Sequence, residues 1–124
     1  MPRIYRSPDP EVTIPQCSLF SLVFGRDFDP ESPALIDAPT GYTLSRKELQ
    51  SYALQFAWSL QNTLGQKRNS TMAIMSPNSI MWPIVLLGAI AAGVQITTVN
   101  SDYTPAEIVH QLSVSALLYI LAYS

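Results

Sequence analysis

The second half of this chain is almost without charge. Fourteen of its sixteen charged side chains lie in residues 1–68, and only Asp102 and Glu107 fall in the remainder. No lysine or arginine follows Arg68. Phosphate recognition draws on Lys, Arg and clustered backbone amides, so residues 69–124 offer no footprint for nucleic acid or polyphosphate. In the first half, Arg3 and Arg6 are scattered, Arg46-Lys47 and Lys67-Arg68 are isolated pairs, and the net charge of the chain is only −2. No nucleic-acid partner is expected. A self-sufficient soluble domain spreads charge over its whole surface. A half this uncharged anticipates cover from further sequence or from a partner.

Other absences narrow the chemistry. Cys17 is the only cysteine, which excludes an internal disulfide and suits a reducing compartment. No cation or histidine stands near it, and its neighbours Leu19 and Phe20 predict a buried structural thiol. The glycines stand at 25, 41, 65, 88 and 93 and never cluster, so no phosphate-cradling loop is present. His110 is the only histidine. With Glu107 it forms Glu-x-x-His, the spacing of a di-iron half-site, but the second copy and extra carboxylates of such a site are missing. The two are expected as a solvated pair on a helix face. Asp102 and Glu107, with Pro105 between them, make a poor acid–base pair and a good helix start. No catalytic, cofactor-binding or metal-ligating residue is assigned in this chain.

Long hydrophobic runs are missing too. The apolar segment Ile80–Val94 is 15 residues, against roughly 20 for a bilayer span. It contains Pro83, Gly88 and Gly93, and the polar Gln95, Thr97 and Thr98 follow it. No transmembrane span is expected; a buried crossover helix fits better. Met1-Pro2-Arg3-Ile4-Tyr5-Arg6 leads into a proline-rich stretch with no apolar signal core, which points to the cytoplasm. Asn69-Ser70-Thr71 matches the glycosylation pattern, a chance match without a secretory signal.

What is present is an alternation. Residues 1–16 hold Pro2, Pro8, Pro10 and Pro15 and read as an extended arm. Ser18 caps a short helix through Phe24, and Gly25 stops it. Ala34–Asp37 and Tyr42–Leu44 form a hairpin about Pro39-Thr40-Gly41. Ser45-Arg46-Lys47-Glu48 is a capping box. It opens a helix whose Leu49, Tyr52, Ala53, Phe56, Ala57, Leu60 and Leu64 share one face, and Gly65 ends it. Then follow a strand at Met72–Met75, a helix from Asn78 to Ala92, with Gly88 for close packing and Gly93 as its stop, and a strand at Val94–Val99. A helix capped by Thr104 with Glu107 and a last apolar run, Ala116–Ala122, complete the pattern. Strand-helix-strand-helix-strand is the pattern of parallel sheet, and strands this apolar belong inside a covered one. With nothing after its last strand, the chain is expected to be the opening piece of a larger α/β enzyme.

Particular segments carry a resemblance. Ser76-Pro77-Asn78-Ser79 followed by Leu87-Gly88-Ala89-Ile90-Ala91-Ala92-Gly93, and the turn and helix Asn100 to Leu112, resemble the N-terminal region of the acyl-adenylate-forming enzymes. The likeness is greatest to the 4-coumarate–CoA ligase-like acyl-CoA synthetases of the AMP-dependent synthetase/ligase family. Pro33–Asp37 and Gly41–Ser45 are similar to the family's opening hairpin, and Ile14–Phe20 to the entry segment of its fungal-type members. The resemblance implies an arm and short helix over 1–32 and, over 33–124, a partial AMP-binding α/β subdomain. That is part of the large domain: a small hairpin region, then a partial parallel sheet with flanking helices.

The family reaction it implies is ATP-dependent adenylation of a carboxylate, then thioesterification to CoA, with ATP, Mg and CoA as cofactors. The family's phosphate loop, nucleotide pocket and C-terminal lysine have no counterpart in this sequence. The expectation is a truncated chain, catalytically inactive alone. The exposed apolar surface points to self-association or to docking on a full-length relative as a regulatory module; a small membrane-associated protein is the reading the run length opposes. Full-length relatives also occur in peroxisomes, but Leu121-Ala122-Tyr123-Ser124 carries no such signal. Two departures stand out. The family has Gly-Asp before the strand at Thr71, where this chain has Asn69-Ser70, and often a cation entering the last strand, where this chain has Leu117.

Overall fold

The computed structural model describes residues 8–25, 29–115 and 119–122. Within them the chain runs α1 (Leu19–Phe24), β1 (Pro33–Ile36), β2 (Thr43–Ser45), α2 (Arg46–Asn62), β3 (Thr71–Met75), α3 (Met81–Ala92), β4 (Gln95–Val99), α4 (Pro105–Val114) and β5 (Tyr119–Ala122). β1 and β2 pair antiparallel, whereas β3 pairs parallel with both β4 and β5. The sheet order is β4-β3-β5. The expected α/β architecture is present, and the last strand, β5, lies at an open edge of this sheet.

Helix starts follow their side chains closely. Ser18 Oγ accepts from Ser21 N at 3.0 Å, capping α1. At α2, Glu48 N donates to Ser45 Oγ at 3.2 Å and Ser45 N donates to Glu48 Oε2 at 2.8 Å, the reciprocal box the sequence predicts. Thr104 and Glu107 repeat it at α4, with Thr104 N donating to Glu107 Oε2 at 2.8 Å. α3 is the exception. It opens at Met81, not at Asn78, and its N-cap is Ile80 with no side-chain hydrogen bond. Ile80 is half-buried against a hydrophobic cluster, so packing occupies the position where a capping oxygen would sit. Pro83 falls in the first turn of α3, where a missing N–H breaks no helical bond.

α2 and α3 lie against the same face of the sheet. Ala57 and Leu60 of α2 and Val85, Ala89 and Ala92 of α3 pack on Met72 and Ile74 of β3. Gly88 sets how close the helices come: a Cβ there would lie 2.6 Å from Ala53 O and 2.9 Å from Phe56 Cδ1. A second cluster, with Phe24, Leu44, Leu49, Ala53, Ile84 and Leu87, joins α1 and the hairpin to the helix pair. α4 takes the other face, where Gln111 Nε2 reaches Thr97 Oγ1 at 3.4 Å and Thr98 O at 2.6 Å.

Three expectations need correcting. Tyr52 and Leu64, assigned to the inner face of α2, are exposed. α2 ends at Asn62, so Gly65 is not adjacent to the last helical turn; it takes a left-handed φ of 64° beyond it, and Gln66 N then returns to Leu60 O at 2.8 Å. Cys17 is exposed, because it precedes the α1 cap while Phe20 and Phe24 turn inward. Glu107 and His110 are exposed on α4 as expected, yet α4 buries no residue at all, and its Val114 is 71% exposed. The Leu117 departure lies outside the described residues.

The Asn69 departure has a structural meaning. Asn69 has φ 68°, the only non-glycine residue with positive φ among those described. The family's glycine meets that backbone at no steric cost, and asparagine is the side chain that tolerates it next best.

Candidate functional site

In a parallel sheet all strands end on one side, and open α/β sheets bind ligands at that carboxyl edge. Here the edge carries the turn after Met75, the turn after Val99 and the end of β5 at Ala122. The second turn is closed by its own side chains: Asp102 N donates to Asn100 Oδ1 at 3.0 Å and Tyr103 N to Asn100 O at 3.2 Å. In the first, Ser76 Oγ donates to Pro77 O at 2.8 Å. Asn78 is exposed and caps nothing. Ser79 Oγ is buried without a hydrogen-bond partner among the described residues. It borders a void of about 30 Å³ walled by Ile74, Trp82, Val85 and Leu121.

Electrostatically the edge is bare. Asp37 shares a hollow with Asn78 and Ser79 of the first turn, Asp102 and Glu107 follow the second, and the hydroxyl and amide of Thr104 hold the Glu107 carboxyl below the usual carboxylate range. Ser45 does the same to Glu48, chiefly through its backbone N–H. Both shifts are consequences of helix capping. The turns after β3 and β4 carry no lysine or arginine, so their own residues do not fit the phosphates of ATP with Mg.

The edge has instead an apolar cleft of about 630 Å³ beside β5. Tyr52 and Phe56 of α2 form one wall, Met81, Ile84 and Val85 of α3 another, and Leu121 and Ala122 the end nearest the sheet. Gln55 and Ser59 add amide and hydroxyl groups at its margin. Sequence reading found the apolar run of α3 but not this cleft, because it assigned Tyr52 to the core. The aromatic pair Tyr52 and Phe56, four residues apart on a helix otherwise rich in polar residues, was the available signal.

Comparison with known proteins agrees with the architecture. The AMP-binding enzyme family matches residues 27–123. The chain is 34% identical to 4-coumarate–CoA ligase-like 3 of Oryza sativa subsp. japonica, across 96% of this chain and 21% of that protein. It is 36% identical to a long-chain-fatty-acid–CoA ligase of Yersinia pestis, across 76% of this chain and 16% of the relative. ATP-bound MatB from Rhodopseudomonas palustris superposes with TM-score 0.76 at 22% identity, covering 83% of this chain and 20% of MatB. A benzoate CoA ligase from Burkholderia xenovorans LB400 gives 0.70 at 28% identity, covering 84% and 20%. The chain belongs to the AMP-binding enzyme family, and its fold is that of the N-terminal part of adenylate-forming enzymes. It spans about a fifth of the length of the relatives it matches.

Proposed function

We propose that this chain is a scaffold segment of an acyl-CoA ligase, positioning the helices and strands against which the nucleotide-binding and catalytic parts of such an enzyme pack, and that it does not form acyl-adenylates by itself. The observation that carries the reading is the carboxyl edge itself. It presents two turns without lysine or arginine and an apolar cleft. Adenylation develops negative charge around the α-phosphate, and stabilising that charge needs donors and cations placed beforehand. In a complete ligase, ATP and Mg would activate the carboxylate and CoA would accept the acyl group. The residues of this chain would contribute the wall and the strand order.

The purified chain is expected to show no carboxylate-dependent exchange of pyrophosphate into ATP with 4-coumarate, benzoate or a long-chain fatty acid. Co-expressed with a family ligase from which the matching fifth has been deleted, it should restore exchange. Exchange by the isolated chain overturns the proposal. The open outer edge of β5 and the cleft beside it favour a second reading, a module that docks on a full-length relative. In that case the chain co-purifies with the intact ligase and alters its turnover, while complementation fails.

A further inference from the structure

Three asparagines in this chain are followed by serine: Asn69-Ser70, Asn78-Ser79 and Asn100-Ser101. All three asparagines are exposed. An asparagine with a small residue after it can lose its side-chain amide, because the next backbone nitrogen reaches its Cγ. The chemistry needs that nitrogen free of a hydrogen bond and the side chain free to swing. Sequence and exposure treat the three alike, so their hydrogen bonds decide among them.

Asn69 is held through its backbone. Ser70 N donates to Lys67 O at 3.0 Å, Asn69 N donates to Gly93 O at 2.8 Å, and Ser70 O accepts from Gln95 N at 2.8 Å. The nucleophile is engaged, and the peptide that carries it is fixed against the start of β4. Asn100 is held through its side chain. Its Oδ1 accepts from Asp102 N at 3.0 Å, and swinging Cγ onto Ser101 N breaks that bond. Asn78 has neither restraint. It lies between β3 and α3, outside both, and its side chain makes no hydrogen bond among the described residues. Ser79 N likewise donates to no group among them.

We propose that Asn78 is a site of spontaneous deamidation, singled out from two sequence-equivalent asparagines by its unbonded side chain and the unbonded amide of Ser79. Ser79 N gives its proton to a solvent base and attacks Asn78 Cγ. The new N–C bond closes a cyclic imide, and the side-chain nitrogen leaves as ammonia, taking a proton from water. Water then opens the imide at either carbonyl, giving aspartate or, with the chain rerouted through the side chain, isoaspartate. Both products place a carboxylate within residues 69–101, which otherwise carry no charge. It stands just ahead of α3, whose first turn has no acidic residue and whose N-cap makes no side-chain hydrogen bond. Negative charge near a helix N-terminus is favourable, so the aspartate form keeps the fold. The reaction is thus a slow, one-way change of charge at the carboxyl edge of the sheet.

The intact chain is incubated at mildly alkaline pH, sampled over time and digested, and each asparagine peptide is read by mass. Conversion at Asn78 should lead that at Asn69 and Asn100 by about three- to ten-fold, the range for one hydrogen bond that must break before attack. An isoaspartate-specific methyltransferase should label the Asn78 peptide first. In urea the three sites should convert at similar rates, since serine follows each of them. Ser79→Pro removes the attacking N–H and should abolish conversion at Asn78, and Asn78→Gln, whose longer side chain closes the ring poorly, should remove the early methyl label. An Asn78 that stays intact in the folded chain, conversion of Asn69 or Asn100 as fast as Asn78, a lead of Asn78 that persists in urea, or undiminished conversion in Ser79→Pro overturns the proposal. None of these readouts depends on whether the chain completes a ligase.

Discussion

At the scale of single residues, backbone demands explain more of this sequence than chemistry does. Asn69 stands at a left-handed position with φ 68°. Asn69→Gly should be neutral or stabilising by up to about 1 kcal/mol, and Asn69→Val should destabilise by about 1–3 kcal/mol, both read from urea melts. Gly88 has no room for a methyl group against Ala53 O at 2.6 Å. Gly88→Ala should separate α2 from α3 and cost about 1–3 kcal/mol. Glu48 and Glu107 are held below their ordinary carboxylate range by capping hydrogen bonds. A depressed folded value means that their contribution is fully present above the unfolded pKa, about 4.3, and is lost as pH falls through the folded value. Stability should thus decline on acidification below that point, and Glu48→Gln together with Glu107→Gln should flatten the decline in melts taken across the acid range. Cys17 was misread at this scale, because adjacency to Leu19 and Phe20 in sequence says nothing about which side of the helix cap a residue occupies.

At the scale of elements, legibility followed the strength of the local signal. Capping boxes are short-range and self-contained, so α2 and α4 start where Ser45 and Thr104 place them. Ser45→Ala should lower stability by about 1 kcal/mol. The start of α3 was misplaced because its cap position is taken by the packed Ile80, a tertiary choice that no local pattern records. By the same reasoning Asn78→Ala, at the residue where the sequence pattern starts this helix, should leave the melting temperature almost unchanged. The outward Tyr52 and Leu64 were missed because an apolar periodicity marks a face but not its width. The absence of assigned catalytic residues came from composition, and the cleft, assembled from α2, α3 and β5, was invisible to it.

At the scale of the molecule, a core is present but unevenly covered. One sheet face is closed by α2 and α3, while α4 covers the other without burying any residue of its own. Together with the cleft beside β5, this leaves apolar surface of the kind to which hydrophobic dyes bind. The chain should enhance the fluorescence of such a dye in its native state, and a complementing ligase segment should suppress that signal. A sharply melting monomer that leaves the dye dark would contradict this account of the cleft.

The strand order carries a consequence for how the chain is made. β3 is central, yet both of its neighbours, β4 and β5, come after it in sequence. On the ribosome the hairpin and α2 emerge first and can settle locally, whereas β3 must wait with both flanks bare until Gln95–Val99 has been synthesised. Its second flank waits for Tyr119–Ala122. Parallel pairings across intervening helices form slowly because the loop must close before any contact rewards it. Nascent chains stalled ahead of β4 should therefore be cleaved readily by protease within Thr71–Met75, and those stalled beyond β5 should resist. The interval between these two points is when this polypeptide is most exposed to chaperones and to misassembly.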